Sequence, residues 1–194
     1  ADKQLQALWN TSDLFHGTFI MSMALWGTVL GAIFASYPCN YFGRKNTLIG
    51  IGVLYLFSAL GSGLSLDPYS FSFFRFLGGI GVGASTIAAP TYVSEISPAK
   101  KRGQLVALYQ FNIVFGILIA FVSNFLLRDF GTQPWRWMIG IEALPSVLYL
   151  IGIVSVPKSP RWVLFKKKNL TKAQAIFKEI NKNELTESEI EEIN

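Results

Sequence analysis

Apolar residues run along this chain in long unbroken stretches separated by short polar ones, and the pattern changes only near residue 157. No Asp, Glu, Lys or Arg occurs from Leu14 to Gly43, and none from Thr47 to Leu66. A helix that crosses a bilayer needs about 20 mostly apolar residues. Five segments meet that length, at 14–37, 47–66, 71–94, 105–127 and 137–156. The third carries one charge, Arg75, and the fifth carries one, Glu142. The fourth offers 23 uncharged residues, ~35 Å of helix at ~1.5 Å per residue. The connections are short: NYFGRKN, DPYS, EISPAKKRGQ and RDFGTQPWR. Such links make successive helices antiparallel neighbours. The pattern therefore predicts an all-α, polytopic membrane protein whose five spans occupy residues 1–157.

Residues 158–194 read differently. Thr171 stands three positions before Gln174, the spacing of a capping box, and Ala173, Ile176, Phe177 and Ile180 mark one helical face. Thr186 and Glu189 repeat the cap spacing. From Thr171 onward there are three Lys and six Glu, a net charge of −3. Short amphipathic helices are expected, either as a solvated linker or as a docking element.

Composition strengthens the membrane reading. Hydrophobic residues make up 51% of the chain, charged residues 15%, and mean hydropathy is +0.39, against about 25% charged residues in soluble domains. The net charge of +5 is unevenly placed. Arg44, Lys45, Lys100, Lys101, Arg102, Lys158, Arg161, Lys166, Lys167 and Lys168 fall on one side of the predicted topology; Lys3, Arg128 and Arg136 fall on the other. By the positive-inside rule, the first loop, the third loop and the tail are cytoplasmic and the start of the chain is outside. The basic clusters are thus short flanks of apolar spans, with no aromatic-interleaved basic face, which excludes a nucleic-acid partner. Cys39, the only cysteine, forms no intrachain disulfide. The polar start, ADKQLQALWNTSD, is not a signal peptide; without an initiator Met it reads as the start of a fragment.

Several residues stand out against this apolar background. In RFLGGIGVGAS, Gly79, Gly81 and Ala84 match the spacing of a dinucleotide-binding fingerprint. That motif needs a preceding strand and an opening helix, whereas this run lies inside one apolar segment. Gly27 and Gly31 are four apart, as are Gly79 and Gly83, and each pair clears a helix face for close approach of another backbone. Arg75 lies four residues past Phe71; it either snorkels to the interface or faces a water-filled cavity or an acid on another helix. Glu142 is at comparable depth, but nothing in the sequence joins the two. Gln110 sits six residues beyond Gln104 inside the fourth span. Its amide serves either as interhelical glue or as a donor and acceptor for a hydroxyl-rich ligand. His16, the only histidine, has no Cys or carboxylate at metal-ligand spacing, so no metal or other cofactor is expected. The chain shows no Ser-His-Asp set or paired carboxylates, and it is not read as an enzyme.

Four stretches carry a resemblance. NYFGRK resembles the loop signature of the major facilitator superfamily. GGIGVGASTIAAPTYVSEISPAKKRG resembles a signature of its sugar porter branch, with Tyr92, Glu95 and Arg102 in place. VPKSPRW resembles a P-E-S-P-R-W motif, and LYQFNIVFG resembles the fifth helix of that family. The resemblance covers nearly the whole chain. It implies that the five spans are helices two to six of a twelve-helix fold, followed by the start of a cytoplasmic helical linker. The partners it implies are a monosaccharide, a proton, the lipid bilayer, and the missing first helix and C-terminal half.

The resemblance also implies roles. Gln110 would bind the sugar. Arg75 would be the proton-coupling residue, answering an Asp upstream of this chain. Asn40, Gly43, Arg44, Glu95, Arg102 and Arg161 would form the charge network that latches the two halves on the cytoplasmic side. Two positions depart from the pattern: Asn40 replaces a frequent Asp, and Lys158 replaces a Glu, reversing the sign of any pair it made. The expected activity is secondary transport of a monosaccharide by alternating access, as sugar:proton symport, in a bacterial inner membrane. Alternatives are a passive facilitator, a non-transporting sugar sensor or an incomplete fragment.

Overall fold

A computed structural model describes residues 2–97, 101–168 and 170–181. The described residues contain helices and no strand. Five helices are long and apolar enough to cross a membrane: span one (Asp13–Phe34), span two (Arg44–Leu64), span three (Pro68–Ile96), span four (Gly103–Leu127) and span five (Pro134–Ser155).

Local chemistry sets the ends. Span one begins after Ser12, whose hydroxyl accepts a hydrogen bond from the Phe15 N–H at 3.3 Å. One stretch of π-helix, His16–Met21, follows. The predicted helix to residue 37 stops sooner, at Phe34, and a short helix, Ser36–Tyr41, takes over. Pro38 lies in the first turn of that short helix and supplies no N–H to the Phe34 carbonyl. The chain then turns at Gly43, with φ +88°, into span two.

Span three opens more strongly. Asp67 accepts from the N–H groups of Tyr69 and Ser70 at 3.0 and 2.8 Å, and Pro68 takes the first helical position, where its missing N–H costs nothing. Hydrogen bonds from Ser70, backbone first and hydroxyl second, hold the exposed Asp67 carboxyl below its usual range. Pro90 sits inside this helix without ending it. Span five is interrupted instead. Its two parts, Pro134–Gly140 and Ala143–Ser155, join at Ile141 and Glu142. Pro145 cannot donate to the Ile141 carbonyl, and the backbone tightens there to Glu142 N–H···O Ile139 (3.2 Å) and Leu144 N–H···O Ile141 (3.1 Å).

Span three is the hub, packed against spans one and two, while span five packs on span two. Glycine explains the tightest of these contacts. A Cβ on Gly27 would collide with the Phe76 carbonyl, one on Gly31 with that of Ile80, one on Gly79 with that of Ala24, and one on Gly83 with that of Thr28. Spans one and three thus touch backbone to backbone over two turns. One core cluster joins Ala35, Cys39, Leu48, Ile51, Ala84, Ala88, Tyr92 and Ile153. A second, near the Asp67 end, joins Leu5 of the first helix (Asp2–Trp9) to Ile20, Phe71, Trp135 and Ile139. Span four differs: none of its apolar window is buried, against 44% for spans two and three.

After span five come two helices, Pro160–Lys167 and Leu170–Asn181. They pack through Trp162, Val163 and Ala173, with Leu164 and Ile176 at the margin. The helix already includes Leu170, so Thr171 lies inside it and does not cap it. The cap spacing at Thr186 and Glu189 lies outside the described residues, as does the side chain of Phe177.

Candidate functional site

Two polar sites interrupt the apolar bundle. The first lies where the Ser36–Tyr41 helix, the start of span two, the end of span three and the Pro160–Lys167 helix converge. Arg44 is its centre. Its Nε lies 3.0 Å from Glu95 Oε1, and its Nη1 donates to the carbonyl of Cys39 (3.3 Å) and to Asn40 Oδ1 (3.4 Å). Both partners of the ion pair are largely shielded, with side chains 19% and 10% exposed. The other Glu95 oxygen accepts from the Ser159 hydroxyl at 2.5 Å. That same Ser159 oxygen accepts from the Trp162 N–H (3.2 Å), capping the following helix, and the Trp162 indole donates to the Asn40 carbonyl (3.0 Å).

These links explain why Gly43 is a glycine. Its φ is positive, and a Cβ there would lie 2.8 Å from the Trp162 ring. Three more bonds staple the end of span five to this corner: Lys45 Nζ donates to the carbonyls of Val154 (2.8 Å) and Val156 (2.6 Å), and the Tyr92 hydroxyl donates to that of Pro157 (2.5 Å). Burial pushes the Cys39 thiol above its usual pKa, against a smaller opposing hydrogen bond from Thr47.

Asn40, Gly43, Arg44 and Glu95 thus come together. Arg161 lines the same recess, of about 450 Å³, with Trp162, Phe165 and Lys166, but makes no ion pair among the described residues. The helix of span four starts at Arg102, whose side chain lies outside those described. Lys158 lies beside Gly43, Arg44 and Lys45 and has no acidic partner among the described residues. Sequence reasoning missed the roles of Ser159, Trp162 and Lys45. The Ser-Pro pair at 159–160 was a usable signal, because serine before a first-turn proline is a helix N-cap.

The second site is a recess of about 410 Å³ among spans one, two, three and five. Its polar lining is Thr28, Tyr55, Ser58, Arg75, Glu142, Ser146 and Tyr149. Arg75 Nη1 lies 3.8 Å from Glu142 Oε2. The sequence left the partner of Arg75 open, with Glu142 at comparable depth; here the carboxylate at the break of span five lies beside it. Gly78, Gly79 and Val82 form the apolar side of the recess, where small residues leave volume. The Tyr55 hydroxyl hydrogen bonds to Ser85 Oγ (3.0 Å), and that of Tyr149 donates to the Leu48 carbonyl (3.3 Å). Gln110 is exposed on span four and does not line this recess. Among the described residues no cluster of three His, Cys, Asp or Glu could hold a metal ion.

A five-span apolar bundle, with one ion-paired network at the span ends and a second ion pair in a recess partway along, defines an α-helical integral membrane protein of the transporter class. The family profile described as "Sugar (and other) transporter" matches residues 4–194. The chain belongs to that family, within the sugar porters of the major facilitator superfamily. A glucose transport protein of Synechocystis sp. is 39% identical over 200 residues, which cover 97% of this chain and 42% of that protein. A D-xylose-proton symporter of Escherichia coli is 33% identical, over 90% of this chain and 40% of that protein. The solved xylose transporter of E. coli, in a partially occluded inward-open conformation, is similar with a TM-score of 0.89 at 30% identity, over 99% of this chain and 51% of that one. The chain thus spans about two fifths of the length of the curated relatives it matches.

Proposed function

We propose that this chain is the N-terminal-half core of a secondary transporter that carries a monosaccharide by alternating access, coupled to a proton. The observation that carries the reading is the Arg75–Glu142 pair in a recess rimmed by hydroxyl groups. An ionisable pair set inside the spans, about two turns from their Pro68 and Pro134 ends, is costly to keep in a membrane and marks a substrate or proton path. The glucose and xylose carriers among the relatives support a sugar as the cargo, and the proton symporter among them supports coupling.

In this reading the Arg75–Glu142 pair ties span three to span five across the recess, and a proton that neutralises a carboxylate there weakens the pair and frees the two spans to shift. The Arg44–Glu95–Ser159 network forms the latch that ties span ends to the linker helices. The basic ends of the spans face the cytoplasm of a bacterial inner membrane, as the Lys and Arg bias favours. Gln110 binds sugar once a further helix or the second half closes over span four.

The test is sugar uptake by the full-length protein in proteoliposomes. Accumulation that follows an imposed proton gradient is expected. Uptake that equilibrates sugar and ignores the gradient favours a passive facilitator and removes the coupling claim.

A further inference from the structure

A groove on the outer face of the bundle belongs to neither polar site. It lies between the end of span two and the start of span five and encloses about 480 Å³. Leu60, Leu64, Gly140, Ile141 and Leu144 line it, together with Arg136 and Trp137. Arg136 stands one turn before Gly140 and two turns before Leu144, so the groove runs ~12 Å inward from the guanidinium at ~1.5 Å per residue. Its walls are surface: Leu64 is 73% exposed, Leu144 62% and Trp137 56%. A Cβ on Gly140 would meet nothing within 4 Å, so the groove is open above it. No carboxylate lines it.

Arg136 is held in place on several sides. Its Nη1 donates to the Gly63 carbonyl at 2.9 Å, its Nε donates to Gln133 Oε1, and the guanidinium lies 4.6 Å from the Trp135 ring centroid. Nη2 makes no hydrogen bond among the described residues. An oriented cation with donors to spare, at the end of two spans and opening onto an apolar channel flanked by an interfacial Trp, matches one kind of molecule in a bilayer. A phosphodiester answers the guanidinium, and an acyl chain answers the leucines. A further apolar helix would fill the channel but leave the cation unanswered.

We propose that this groove is a binding site for an anionic phospholipid, with its phosphate on Arg136 and one acyl chain along Gly140 and Leu144. The test uses the full chain purified in a mild detergent. Native mass spectrometry follows retention of phosphatidylglycerol against phosphatidylcholine with the same acyl chains. Preferential retention of one phosphatidylglycerol, by about tenfold, is expected, because phosphatidylcholine carries the same phosphodiester but its choline ammonium offsets the negative charge and is repelled by Arg136. Arg136→Gln should abolish the preference. Because Arg136 also holds Gly63, that variant could fail to fold, and Gly140→Leu supplies the independent arm: it fills the channel without touching backbone and should displace both lipids. Equal retention of the two lipids by the wild-type chain overturns the proposal, as does unchanged phosphatidylglycerol retention in Gly140→Leu.

Discussion

At the scale of single residues, Glu95 is the side chain that joins Arg44 to the helix after span five. One oxygen takes Arg44 and the other takes Ser159, so removing its charge strands a shielded guanidinium. Glu95→Gln is expected to cost about 2 kcal/mol, the order of a hydrogen bond to a charged group, read as a lowered thermal midpoint in detergent. Cys39 supplies a second readout from the same corner. Its thiol is buried and its pKa raised, so maleimide labelling of the wild-type chain should be slow near neutral pH and climb only in alkaline solution, because the thiolate is the reacting form. Glu95→Gln frees Arg44 from the corner and should accelerate that labelling; an unchanged rate would show that the network does not shield the thiol. Ser159→Ala should act in the same direction, since it loses both the carboxylate contact and a helix cap, the cap alone being worth ~1 kcal/mol.

At the scale of elements, the contact between spans one and three leaves least room for change. Gly31→Val places a branched side chain against the backbone of Ile80, and a backbone cannot step aside as a side chain can. We expect at least the ~3 kcal/mol of severe overpacking, seen as aggregation in size-exclusion profiles. Gly50→Ala and Gly116→Ala, where a Cβ meets nothing within 4 Å, should be neutral or stabilising, since alanine in a helix is favoured over glycine by about 0.5–1 kcal/mol. Equal damage from all three would refute the packing argument. The glycine spacing was legible in the sequence because a four-residue repeat has a direct geometric meaning on a helix. The break in span five was not predicted, although its cause, Pro145, stands in plain view: a proline interrupts one helix and passes through another, as Pro90 does in span three. Hydropathy alone does not separate the two cases. Without that break the partner of Arg75 stayed hidden, since depth along separate helices says nothing about which faces meet.

At the scale of the whole molecule, the distribution of burial carries the remaining argument. Spans two and three are substantially buried, whereas no residue in the apolar window of span four is buried. Its sequence is apolar on all sides, apart from amides such as Gln110 and Asn112, so helical periodicity could not choose a face for it. Span count, order and antiparallel links were readable because each follows from segment length; the position of Gln110 relative to the recess was not, because it depends on what covers span four. If Gln110 meets sugar only when that surface is covered, its effect must appear in transport and be absent from stability. Gln110→Ala in the full-length protein is therefore expected to leave the thermal midpoint in detergent unchanged. It should weaken half-saturation for the transported monosaccharide by about 3- to 10-fold, the loss of one or two neutral hydrogen bonds. Arg75→Gln should give the complementary result, with sugar exchange retained and gradient-driven accumulation lost. A Gln110→Ala protein with normal half-saturation would move the sugar site away from span four, and an Arg75→Gln protein that still accumulates sugar against its gradient would remove Arg75 from the proton path.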